Sequence, residues 1–194
     1  MILINISEGA NPNYLGKIFR IDHLEKHSNA DRLQKTFVDF QTVITGLDAS
    51  IGDYYVYFPV ECKINADFLK HTNSFRDVTL NADSTQKGFF EKNCRVKAMK
   101  LRGENSCGYI VPLKVIESFL GCSIEHECFQ NTYFDTINGV KMLEKYVTKV
   151  GTPTVGGKKN GKASKESLIV ENQFHFHIDT ENFSHRNLST CRRF

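Results

Sequence analysis

His27-Ser-Asn-Ala-Asp-Arg-Leu33 interrupts a chain that reads as extended on both sides of it. Within these seven residues Asn29 and Asp31 can bond their side chains to nearby backbone, so the stretch reads as a polar turn. Before it, Leu15 to Leu24 carries Ile18, Phe19 and Ile21 in an extended run. After it, Thr36 to Thr45 holds two β-rich runs that pivot near Asp39 to Gln41, and Asp53 to Val60 is a third run of β-branched and aromatic residues closed by Pro59. Strands recurring about every ten residues predict a small antiparallel barrel or sandwich, mainly β with short helices.

The pattern continues downstream. Asn65 to Lys70 reads as a helical turn, and residues 72–92 are polar and turn-rich, a long surface excursion. Cys94-Arg-Val-Lys-Ala-Met-Lys-Leu-Arg-Gly103 alternates apolar Val96, Ala98 and Leu101 with basic Arg95, Lys97, Lys100 and Arg102, with one slip at Met99-Lys100. A period of two sends alternate side chains to opposite faces, so most of these four cations are expected on one face of a strand, with a bulge at the slip. Gly103 to Gly108 then forms a turn, Tyr109 to Leu113 a further strand, and Lys114 to Leu120 a short helix. Between Gly151 and Ser167 the composition shifts to Gly, Lys, Ser and Thr around Lys158-Lys159-Asn160-Gly161-Lys162, the mark of a flexible basic linker.

The 194 residues suit one well-cored domain with an extension. A 40% hydrophobic content with 15 Phe and 7 Tyr can build a core, and 24% charged residues suit a solvated surface. No apolar run reaches the roughly 18 residues of a membrane span and the N-terminus lacks a signal-peptide pattern, so a cytoplasmic chain without membrane partners is expected. The six cysteines show no C-x-x-C spacing, which argues for reduced thiols. Cys122-Ser-Ile-Glu-His126-Glu-Cys128 gathers two thiols and an imidazole, but its spacing fits no standard zinc module, and no metal ligand is assigned. The net charge of +3 is uneven: residues 141–194 hold ten Lys or Arg against five Asp or Glu, whereas residues 1–140 are slightly acidic. A basic end suits a polyanionic partner.

His27-Ser-Asn-Ala-Asp-Arg-Leu33 resembles the H-P-N-A-D-R-L turn of OB-fold domains, found in tRNA-binding modules attached to aminoacyl-tRNA synthetases and in the N-terminal domain of one clade of RNA ligases. Both families carry K-x-x-K-L-R-G and then S-x-G downstream, matched by Lys97-Ala-Met-Lys-Leu-Arg-Gly103 and Ser106-Cys-Gly108, about 65 residues further on. Phe75 to Phe90 resembles an insertion that phage-like RNA ligases carry before this strand, Tyr109 to Leu113 their following strand, and Glu144-Lys-Tyr-Val147 the segment at which they leave the OB domain. The ligase resemblance spans nearly the whole chain, whereas the alternative, a stand-alone tRNA-binding module without catalysis, accounts for residues 15–113 only.

The resemblance implies an OB-type barrel over residues 10–140, a connecting segment and linker over 141–167, and over 168–194 the incomplete start of an α+β nucleotidyltransferase domain. It implies RNA as partner, engaged by Arg95, Lys97, Lys100 and Arg102. In such ligases a lysine of a K-x-D-G or K-x-H-G motif attacks the α-phosphate of ATP to give lysyl-AMP, AMP passes to an RNA 5′-phosphate, and a 3′-hydroxyl displaces it, with Mg2+ offsetting phosphate charge. Neither motif occurs in these 194 residues. No catalytic residue is therefore expected in the chain and no cofactor for the chain alone, ATP and Mg2+ belonging to the complete ligase with its missing C-terminal domain. Phe174-His-Phe-His-Ile-Asp-Thr180 resembles the strand and turn entering that domain. Its His175 and His177 share one strand face and Phe174 and Phe176 the other, the pattern of an amphipathic strand.

Overall fold

Three hairpins use one device, a two-residue turn in which both residues take positive φ. That geometry matches the right-handed twist of the flanking strands, and it explains why the chain reverses at Asp39-Phe40 (φ 46° and 67°), Arg102-Gly103 (47° and 101°) and Asn138-Gly139 (49° and 78°). The computed structural model describes residues 2–148. In chain order their strands are β1 (Ile4–Asn5), β2 (Gly16–Arg20), β3 (Glu25–Lys26), β4 (Leu33–Val38), β5 (Gln41–Gly46), β6 (Tyr54–Phe58) and β7 (Cys62–Ile64). There follow β8 (Met99–Leu101), β9 (Glu104–Ser106), β10 (Tyr109–Pro112), β11 (Tyr133–Phe134), β12 (Thr136–Ile137), β13 (Val140–Lys141) and β14 (Leu143–Lys145). Two short α-helices, α1 (Ala66–His71) and α2 (Leu113–Leu120), and two 3-10 turns, Pro12–Tyr14 and Val78–Leu80, complete the described set. The Asn65 side chain caps α1 by accepting from the N–H groups of Asp67 and Phe68.

The described residues are thus mainly β with short helices, but their ladders do not close into a single barrel. They run β10-β6-β2-β11, β3-β4-β5, β1-β12-β13, β7-β14 and β8-β9, each antiparallel. The expected turn over Gly103 to Gly108 is also corrected: the reversal is complete at Arg102-Gly103, and residues 104–106 already form β9. Between β5 and β9 no regular ladder forms. Instead the Ser106 hydroxyl accepts from Ile44 N–H at 3.0 Å, and Cys107 N–H donates to Thr42 O at 2.8 Å. Gly108, at φ +138°, then turns the chain into β10; a Cβ there would lie 2.3 Å from the Tyr57 ring.

The central β2-β6-β10 sheet is buried on both faces. Ile18, Val56, Phe58 and Val111 project into one core with Phe68, Leu69 and Ile116 of the helices, while Phe19, Tyr55, Tyr57 and Ile110 project into another with Val38 and Val43 of the β4-β5 hairpin. Alternation of period two therefore builds two cores from one set of strands, each buried large side chain contributing roughly 1.5–3 kcal/mol.

Residues 72–92 depart from the surface excursion expected of them. Asn81 is buried and satisfies three backbone groups: its Oδ1 accepts from Phe75 N–H at 2.9 Å, and its Nδ2 donates to the carbonyls of Phe75 at 3.0 Å and Gln86 at 2.7 Å. Phe75 and Phe90, which bridge one another, are carried into the core. Polar composition here serves an internally bonded loop.

Candidate nucleic-acid interface

The two sequence motifs are one interlocked unit. His27 is buried, with its Nε2 3.1 Å from Leu101 O and its Nδ1 3.0 Å from Asn29 N. A carbonyl only accepts and a backbone N–H only donates, so the ring is neutral with its proton on Nε2. Asn29 Nδ2 donates to Arg102 O at 3.0 Å, and Ser28 N–H donates to Glu104 Oε1 at 3.0 Å. Glu104 also pairs with Lys35 at 2.9 Å. Hydrogen bonds from Ser28 and then Lys35 hold its carboxyl well below the ordinary range, at about 2. The polar turn thus clips the end of the β8-β9 hairpin, and its residues act on the fold.

The four cations do not share one face. Cys94 to Val96 pair with β7, through Val96 N–H to Cys62 O at 2.9 Å and Ile64 N–H to Cys94 O at 3.0 Å, whereas regular pairing resumes only at Met99, with β9. Lys97 and Lys100 lie three positions apart, so alternation without the expected bulge sends them to opposite sides, and Arg95, Lys97 and Met99 line one cleft that Lys100 and Arg102 do not. Arg95 is half-buried, its Nη2 2.7 Å from Glu61 and its guanidinium 5.0 Å from the Tyr146 ring centroid. Its Nε is buried without a hydrogen-bond partner among the described residues. Lys97 Nζ lies 2.9 Å from Glu91 Oε2. Lys100 and Arg102 project from the β8-β9 hairpin, exposed and outside any ion pair among the described residues.

Arg95 and Lys97 instead line a shallow cleft of about 80 Å³ with residues the sequence reading left out. Phe89 and Arg76 come from the 72–92 loop, and Met99 from β8. Phe89 is 44% exposed and Met99 37% exposed, side by side with three cations and one carboxylate, Glu91. Lys97 holds the Glu91 carboxyl below its ordinary value, with the fields of Arg76 and Arg95 adding to it. The signal that could have found this site was Phe89-Phe90, two aromatics ending a polar stretch, of which only one could be buried.

Among the described residues no three His, Cys, Asp or Glu side chains gather as a metal site. His126 lies against Tyr54, the rings tilted at 44° with centroids 5.0 Å apart, and its Nε2 is 3.4 Å from Glu117 Oε1. Nor is any helix among them long and apolar enough to cross a membrane. The readings of the basic linker, the 168–194 segment, His175 and His177 lie outside the described residues.

No protein-family model and no curated protein matches the sequence. Among solved structures, matches are to RNA ligase from Naegleria gruberi. One, with pyrophosphate, is 17% identical at a TM-score of 0.42, covering 78% of this chain and 40% of that chain. A mutant with ATP and manganese gives 16%, 0.42, 79% and 41%. Another, with AMP and manganese, gives 19%, 0.38, 62% and 35%. The chain therefore spans between 35 and 41% of the length of these ligase chains.

Proposed function

We propose that this chain is the N-terminal, RNA-engaging part of an ATP-dependent RNA ligase that seals RNA ends through a lysyl-AMP intermediate. The observation that carries the reading is the interlock of His27 and Asn29 with the carbonyls of Leu101 and Arg102. It gives a joint physical reason for the two motifs by which the sequence resembles the ligases, because each supplies the other's hydrogen-bond partners. An OB-type barrel is the frame of this reading. It is supported by two antiparallel ladders, β3-β4-β5 and β10-β6-β2, and by the bonds from Ile44 and Thr42 of β5 to Ser106 and Cys107 just before β10.

In this reading residues 10–140 are the RNA-engaging domain, 141–167 connect it onward and 168–194 begin the nucleotidyltransferase domain. ATP and Mg2+ act in that second domain, and no step is assigned to residues described here. Lys97 and Lys100 lie on two sides of the β8 approach and contact different phosphates of one RNA strand. The test is a salt titration of single-stranded RNA binding. Lys97→Glu with Lys100→Glu weakens binding at low salt and flattens the slope of log affinity against log salt by roughly 0.7 for each lost phosphate contact. Wild-type affinity and slope in the double mutant would reject this surface. Binding of folded tRNA but of no single strand would instead favour the tRNA-binding module.

A further inference from the structure

We infer that the cleft beside β8 is a stacking site for one unpaired base of single-stranded RNA, with Phe89 as platform and Arg76 and Lys97 as holders of the flanking phosphates. The inference rests on the RNA reading above and names the chemistry of a site which that reading leaves unspecified.

Phe89 is braced rather than loose. Its ring centroid lies 4.6 Å from Phe90 and, edge to face, 5.4 Å from Tyr109, both of them held in or against the main core. The loop that delivers it is closed by the Asn81 side chain and by the bonds of Phe89 and Phe90 N–H to Ser74 O, each 2.9 Å. A ring so held loses little conformational freedom when a ligand covers it, which favours binding. Its outer surface and Met99 form an apolar patch that the fold leaves in water.

Charge selects the occupant. Arg76 and Lys97 line this patch, the Arg95 guanidinium beside them being paired with Glu61, and the only carboxylate among its lining residues, Glu91, is engaged by Lys97. An aromatic flanked by cations meets both halves of a nucleotide, the π-face of the base and its phosphate. A cleft of about 80 Å³ cannot enclose a base, so the base lies on Phe89 and the strand passes across the surface. An incoming phosphate replaces Glu91 as the partner of Lys97.

The experiment uses the full chain and a single-stranded RNA carrying one 2-aminopurine. Stacking on Phe89 quenches the probe on binding. Phe89→Ala abolishes the added quenching and weakens binding roughly 5- to 150-fold, the range for loss of one base–aromatic stack, with an unchanged salt slope because no phosphate contact is lost. Phe89→Trp retains both quenching and affinity, and Glu91→Gln tightens binding by freeing Lys97. Equal melting temperatures for the variants exclude unfolding as the cause. If Phe89→Ala binds and quenches like wild type while Lys97→Glu with Lys100→Glu is impaired, this inference fails and the RNA reading stands. If wild type binds no single-stranded RNA at low salt, both fail. An acidic peptide that binds the cleft where RNA does not would likewise overturn the inference.

Discussion

Glu104 shows how much a single side chain contributes to joining distant parts of this chain. It accepts from Ser28 N–H and pairs with Lys35, bringing the polar turn, β4 and the β8-β9 hairpin together. Its carboxyl sits at about 2 against an ordinary 4.5, so the folded chain binds fewer protons than the unfolded chain between those values. The stability it contributes is therefore fully present above about pH 4.5 and is lost as pH falls toward 2. Glu104→Gln lowers the melting temperature at neutral pH, and the gap to wild type closes on acidification from pH 5 to pH 2. Melting curves at half-unit pH intervals measure it, and a gap that stays constant down to pH 2 would contradict this assignment. His27 belongs to the same contact. The sequence marked it within a motif, but whether it would act on a ligand or on the backbone was decided by Leu101 O, 74 positions away.

At the level of elements, the β4-β5 hairpin carries an evident local conflict. Its turn needs two positive-φ residues, a role suited to Asn-Gly, yet it is made by Asp39 and a fully exposed Phe40. Asp39 is compensated, since its carboxylate accepts from Lys17 and from the Tyr133 hydroxyl at 2.8 Å. Phe40 has no such support. Phe40→Gly is expected to stabilise the chain by about 1 kcal/mol, raising the melting temperature by roughly 2–4 °C, as followed by circular dichroism. An unchanged or lower midpoint would mean that the ring makes a contact in solution that relieves its backbone. Elements were legible where local rules dominate: the pivot near Asp39, the helical turn from Asn65 and the helix after Pro112 all lie where short-range pattern puts them. The 72–92 loop was not, because its order comes from Asn81 bonding within the loop rather than from any periodicity.

For the whole molecule the proposed ligase reading has a chemical consequence. In that reading the lysine that takes up AMP belongs to a K-x-D-G or K-x-H-G motif, and neither motif occurs in the 194 residues. Incubated with Mg2+ and α-labelled ATP, the 194-residue chain is expected to carry no covalent AMP; stoichiometric labelling mapped by mass spectrometry to one of its lysines would place the chemistry within the chain. The sequence by itself determined the predominance of strands, the positions of most turns and the two motifs, because strand alternation and turn residues act over a few positions. Tertiary structure alone decided that these motifs clasp one another, that the ladders remain separate, that Arg95 and Lys97 part from Lys100 and Arg102, and that Phe89 is left facing water beside them. Each of these outcomes depends on partners tens of residues apart, whose meeting is set by burial of the shared cores rather than by any local preference.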